Sequence, residues 1–219
     1  MKGSFSRISI FILILIVITA FYYGFGLRNE VINHFDQDEW TNQVNFQSYD
    51  EFPKEVINML LLIEDQSFFN HSGIDIRQIA TVIKGYVFDD KKLRGASTIS
   101  QQLIKNQLLT KDRTFSRKFK EVIMALLLES YFDKKYILEL YLNNVYLGQK
   151  GNQLVIGFPD ASIFYFNKPL KDLKLDQIAM LVALLKGPSY YHPEKYPDRL
   201  KKRQDLVLSI YNKYEKIVK

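Results

Sequence analysis

Gly95-Ala96-Ser97-Thr98-Ile99-Ser100-Gln101-Gln102-Leu103-Ile104-Lys105-Asn106 gathers small residues, hydroxyls, two amides and a cation at what reads as the start of a helix. Small residues let a backbone approach a ligand, Ser97 or Thr98 supplies a cap, and the unpaired first N–H groups of a helix favour an anion. The chemistry this points to is a grip on phosphate. An ordinary capped helix with a polar face would use the same residues, so the segment does not decide the matter alone.

Two carboxylates stand out elsewhere. Glu64 follows Leu60-Leu61-Leu62-Ile63 and precedes Phe68-Phe69, so it sits at the edge of an apolar cluster, a setting that suits a general base. A solvated helix terminus would read the same way. Glu121 shares a helix face with Arg117 at i,i+4 spacing, and Lys118 lies three residues before it. A surface ion pair would explain one such contact. Arg113, Arg117, Lys118 and Lys120 together exceed what one pair needs, and cations concentrated at the head of an apolar helix point to diphosphate. His71, in Asn70-His71-Ser72-Gly73, reads as a structural hydrogen-bonding residue.

These residues need elements to hold them. The chain has 219 residues, 47% of them hydrophobic, enough for one domain with a substantial core and something more. The addition is N-terminal: from Ile8 to Leu27 there is no charge, and such a run reaches about 30 Å as a helix, the thickness of a bilayer core. Lys2 and Arg7 precede it, whereas Glu30, Asp36, Asp38 and Glu39 follow, which places the N-terminus in the cytoplasm and the rest outside. A cleaved signal peptide is the rival reading, but the run is longer than such peptides use, and Tyr22 and Tyr23 suit an interfacial belt. Residues 28–52 read as a polar stalk between the anchor (1–27) and a domain at 53–219.

From Pro53 the pattern turns helical, with Val56, Met59, Leu60 and Ile63 at helical spacing. Thr114 to Phe132 predicts the longest internal apolar helix, buried, and too charged at its start to be a second span. Further helices are predicted at 134–147, 175–186 and 198–216, and strand signals are scarce. With no cysteine there is no disulfide framework and no thiolate nucleophile. The net charge of +6 matches a partner bearing phosphate. Anchorage argues for lipid rather than nucleic acid, from which export would separate the domain.

The ordered blocks Glu64 to Gly73, Gly95 to Asn106, Arg113 to Glu121, Ile137 to Gly148 and Ala183 to Pro193 resemble the five motifs of the peptidoglycan glycosyltransferases, over residues 53 to 208. Arg94, where a glutamine is common, and Ser100, where a threonine is usual, are mild departures. No Ser-x-x-Lys or Lys-Thr-Gly is present, so the resemblance is to a glycosyltransferase domain without a transpeptidase half.

The resemblance implies a mainly α, lysozyme-like domain with a smaller membrane-proximal lobe, placed at about residues 74 to 112, plus one N-terminal transmembrane helix in the bacterial cell membrane. It implies polymerisation of lipid II with release of undecaprenyl diphosphate. Glu64 takes the acceptor proton, and Glu121 acts with the diphosphate-binding residues. The implied substrate-binding set is Ser97, Thr98, Gln101, Gln102, Lys105, Asn106, Arg113, Arg117 and Lys118. No cofactor is obligatory, Mg or Mn assisting the diphosphate at most. Partners are lipid II, the growing glycan strand, the bilayer and proteins of cell-wall synthesis or division, and not nucleic acid. Two other readings stay open: a tethered lysozyme-like enzyme that cleaves peptidoglycan, whose neutral substrate gives no reason for the cations, and a non-catalytic scaffold that binds lipid diphosphate.

Overall fold

The computed structural model describes residues 2–36, 40, 45–88, 97–110 and 112–218. The chain divides into two compact units, Met1–Asp38 and Glu39–Lys219. The first is a single helix, α1 (Lys2–Phe35), whose stretch Ser9–Phe35 is long and apolar enough to cross a membrane, with a mean hydropathy of 2.5. The charge-free run ends at Leu27, but nothing in Arg28-Asn29-Glu30-Val31-Ile32-Asn33-His34-Phe35 breaks a helix, so the helix continues through it.

The second unit is helical apart from one hairpin among the described residues. Its helices are α2 (Lys54–Glu64), α3 (Ile76–Phe88), α4 (Ile99–Leu108), α5 (Phe115–Tyr131), α6 (Lys134–Asn144), α7 (Phe158–Phe166), α8 (Leu175–Leu184) and α9 (Pro197–Val218). Helix α8 is apolar enough to be buried nearly all round and packs against α2, α7 and α9. Helix α4 packs on α5 and α6, and α6 on α7. Met59 and Leu60 of α2, Ile99 and Ile104 of α4, Met124 and Leu128 of α5, and Ile137, Leu138 and Tyr141 of α6 are fully buried. Each contributes about 1.5–3 kcal/mol through the apolar surface it removes from water.

Residues 45–52 are not a loose stalk. Gln47 N donates to Asn143 Oδ1 at 3.0 Å, Asn143 Nδ2 donates back to Gln47 O at 2.8 Å, and Tyr49 N donates to Glu139 at 2.6 Å. The segment is tied to α6, inside the second unit. Helix α5 is also less buried than its composition predicts: Glu121, Met124, Ala125 and Leu128 form one covered stripe, while Phe119 is exposed and Phe115 is 96% exposed. Apolar residues here outnumber the places a single packed face can offer. Helix α4, expected in a separate lobe, is instead part of the core. The rest of that expectation falls partly on 89–96 and 111, outside the described residues, as do Arg94, Gly95 and Ala96 of the motif.

Helices α3 and α7 and a two-stranded hairpin were not predicted. Strands β1 (Tyr146–Lys150) and β2 (Gln153–Ile156) pair antiparallel with Lys150 opposite Gln153, joined by Gly151-Asn152, and α7 follows directly. Gly151, at φ 58, takes the first central position that such a two-residue turn reserves for glycine.

Gly73 holds a tighter constraint. At φ +83 a Cβ there would lie 2.6 Å from Ala125 O, because the loop after α2 runs against the α5 backbone. Gly73→Ala is expected to cost about 2–5 kcal/mol, strain and overpacking together. Thermal unfolding followed by circular dichroism should show the midpoint lowered by roughly 10 °C.

Candidate active site

Helix α2 ends at Glu64, and the next residue leaves helical geometry, with Asp65 at φ -159. Two adjacent carboxylates thereby serve different elements. Asp65, buried, accepts from Ile99 N at 3.0 Å and from His71 Nε2 at 3.1 Å. Glu64 Oε2 accepts from Gln102 Nε2 at 2.9 Å, and the Tyr141 hydroxyl donates to the same amide's Oε1 at 2.9 Å. Burial, reinforced by the negative charges of Glu64 and then Asp65, pushes the Tyr141 phenol well above its ordinary range. It therefore remains a protonated donor.

Thr98 caps α4. Its Oγ1 accepts from Gln101 N at 3.2 Å and donates to Gly73 O at 2.6 Å, while Gln101 Oε1 accepts from Thr98 N at 3.1 Å. This reciprocal cap, with Asp65 on Ile99 N, satisfies the Thr98, Ile99 and Gln101 N–H groups from within the protein. At the α4 N-terminus, where an anion was anticipated, the Asp65 carboxylate accepts from Ile99 N. Thr98 and Gln101, both buried, hold the helix rather than present groups to a ligand.

The second cluster is on α5, started by Thr114, whose hydroxyl accepts from Arg117 N at 3.2 Å. Glu121 is 1% exposed and is clasped by Arg117 Nη1 at 2.7 Å and by Lys118 Nζ. Lys118 Nζ also donates to Ser97 Oγ at 2.9 Å. The triplet keeps a net positive charge, and the Nε–H of Arg117, buried, has no protein acceptor among the described residues. The side chains of Lys105, Asn106 and Arg113 are exposed and make no protein hydrogen bond or ion pair among the described residues. Residues 97–102 therefore tie the site together: Ser97 meets the Glu121 cluster and Gln102 meets Glu64, about a turn and a half further along.

Beneath this lies a charged network. His71 Nδ1 lies 3.4 Å from Lys134 Nζ, and its Nε2 lies 3.1 Å from Asp65. Lys134 pairs with Glu129 at 2.7 Å, and Ser100 bonds to Glu129. The structural role read for His71 is what the geometry shows. Asp65, Glu129, Lys134 and Tyr141 were not singled out from the sequence. A buried acid adjacent to the candidate base and a tyrosine inside an apolar α6 were signals available for two of them.

Two adjoining cavities of about 410 and 230 Å³ lie between the hairpin, α7 and the loop after α8, lined by Tyr146, Gln149, Tyr165 and His192 among others. Burial pushes the Tyr165 phenol to about 12, so this lining is neutral at that position.

The profile of the family described as Transglycosylase matches residues 28–212. The chain belongs to the transglycosylase family. Both clusters lie inside the matched span. The chain is 42% identical over 170 residues to penicillin-binding protein 1B of Vibrio cholerae, which is 78% of this chain and 22% of that protein. It is 42% identical over 159 residues to penicillin-binding protein 1B of Escherichia coli, 73% of this chain and 19% of the other. Against penicillin-binding protein 1F of Bacillus subtilis it is 42% identical over 165 residues, 75% of this chain and 22% of the other. The chain thus spans about a fifth of the length of these relatives.

Proposed function

We propose that this transglycosylase polymerises lipid II into β-1,4-linked glycan strands and releases undecaprenyl diphosphate. The 4-hydroxyl of the acceptor's N-acetylglucosamine attacks the anomeric carbon of the donor's N-acetylmuramic acid. Glu64 takes the hydroxyl proton, and the diphosphate leaves from the opposite face, so an α donor gives a β linkage. Negative charge grows on the leaving diphosphate as the bond breaks. Fixed cations stabilise that change more than they stabilise the ground state.

The observation that carries this reading is the pairing of a carboxylate and a cation cluster through one short segment: Gln102 on Glu64, and Ser97 on Lys118 beside Glu121. Arg117 and Lys118, pre-oriented by Glu121, with Lys105 and Arg113 exposed nearby in sequence, supply the positive side. Neutral glycan cleavage has no use for them. Helix α1 serves as a single-pass anchor, with the domain outside the cytoplasmic membrane by the asymmetry of charge around it.

Purified protein in detergent, supplied with lipid II, is expected to yield glycan polymer. Cleavage of preformed glycan, or binding without reaction, would overturn the reading. The same assay tests the place of a metal. Among the described residues no cluster of three or more metal-type ligands occurs, and the Glu121 carboxylate is already occupied by two cations. A divalent ion such as Mg or Mn would then sit on diphosphate oxygens, adding charge stabilisation that Arg117 and Lys118 already provide. Polymerisation after strong chelation is expected to retain more than about half its rate.

A further inference from the structure

We infer that Tyr141 is a positioning residue for Glu64, acting through Gln102, whose amide it holds with the nitrogen toward the carboxylate. This rests on Glu64 being the base. A glutamine amide can sit either way round, and the two orientations differ only in whether Nε2 or Oε1 faces each neighbour. Here the neighbours are a carboxylate, which only accepts when ionised, and a fully buried phenol. With the phenol donating to Oε1, Nε2 must face Glu64. Turned over, the amide would set its carbonyl oxygen against the Glu64 carboxylate.

The tyrosine is well placed to enforce this. Its ring is among the largest fully buried side chains and is fixed on α6, a rigid element. The phenol remains protonated, as its burial dictates. Gln102 is carried on α4, whose start is tied to Asp65 and Gly73. The chain Tyr141 to Gln102 to Glu64 therefore has both anchors in the core, and only its last member reaches the site. The arrangement uses one oxygen of Glu64. The other, Oε1, has no protein hydrogen bond among the described residues and is available to the acceptor hydroxyl.

The test is a cycle on the full chain in detergent with lipid II. Tyr141→Phe is expected to lower kcat about tenfold with KM changed less than about twofold, since a misoriented base affects the reaction rather than ground-state binding. In a Gln102→Ala background the same substitution is expected to change kcat less than about twofold, because the route is already cut. A fall of equal size in both backgrounds, or no fall in Tyr141→Phe alone, overturns the inference.

A second readout needs no polymerisation. The Gln102 side-chain amide protons, followed by ¹⁵N NMR and assigned by their loss in Gln102→Ala, are expected to exchange with solvent about tenfold faster in Tyr141→Phe. Unchanged exchange overturns the inference. Should Tyr141→Phe fail to fold, Tyr141→3-fluorotyrosine keeps the shape and donates more strongly. It is then expected to slow that exchange, and an unchanged rate again overturns the inference. If the wild-type chain makes no polymer, the proposed function fails while the exchange result still decides the positioning role.

Discussion

Replacing Glu64 by glutamine is expected to lower lipid II polymerisation by about 10² or more while leaving the fold intact, since removing a positioned base forfeits that order of rate. The side chain sits at the end of α2, where Glu64 receives one hydrogen bond, from Gln102 Nε2 at 2.9 Å. An amide oxygen accepts that bond as a carboxylate oxygen does, and the volume is unchanged. What is lost is a carboxylate able to take up the acceptor's proton, and with it the route by which the acceptor hydroxyl becomes a nucleophile. Thermal unfolding should therefore shift by no more than about 3 °C, the equivalent of roughly 1 kcal/mol for a chain of this size. Near-normal polymer yield from Glu64→Gln would remove Glu64 as the base and leave the Glu121 cluster without a catalytic partner.

Glu121→Gln is expected to reduce kcat/KM by a similar factor, about 10², for a different physical reason. Glu121 is buried at the crossing of two cations, one held from four residues before it and one from three. An uncharged amide cannot clasp both. Arg117 and Lys118 would then repel each other and lose the geometry in which they meet the growing diphosphate charge. Folding should suffer as well, by about 1–3 kcal/mol. This is below the figure for a fully buried pair because the Lys118 side chain is 43% exposed and can shed its unpaired charge to water. Retained turnover with only a stability loss would make Glu121 a structural residue and pass its role to Lys118 and Arg117 alone. Measuring polymer formation and unfolding on the same preparation separates the two outcomes.

Much of this arrangement is legible in the residues themselves. The α2 periodicity, the Thr98 cap with Gln101 three positions on, and the Arg117 and Lys118 spacing to Glu121 are local patterns, and local patterns are what a sequence displays. The hairpin at 146–156 was missed because its strands are short and carry Gly148, which weakens their apolar alternation, although Gly151-Asn152 is a turn signal. What could not be read is pairing over distance. Gln102 looks like a ligand for phosphate until Tyr141 and Glu64 are seen to occupy both ends of its amide. The first N–H groups of α4 look open to an anion until Asp65, far upstream, is found on Ile99. The extent of α5 burial depended on how many neighbours it has, a quantity absent from its own residues.

The way α4 begins bears on the order in which the molecule assembles. Its cap is completed by Gly73 and Asp65, partners 25 and 34 positions earlier in the chain. Ten residues are too few to hold a helix in water, so this one gains its start only after the segment behind α2 has docked. Substitutions in that cap should therefore leave the folding rate almost unchanged and chiefly hasten unfolding, the signature of contacts made after the transition state. Catalytic competence would then be among the last properties the nascent chain acquires.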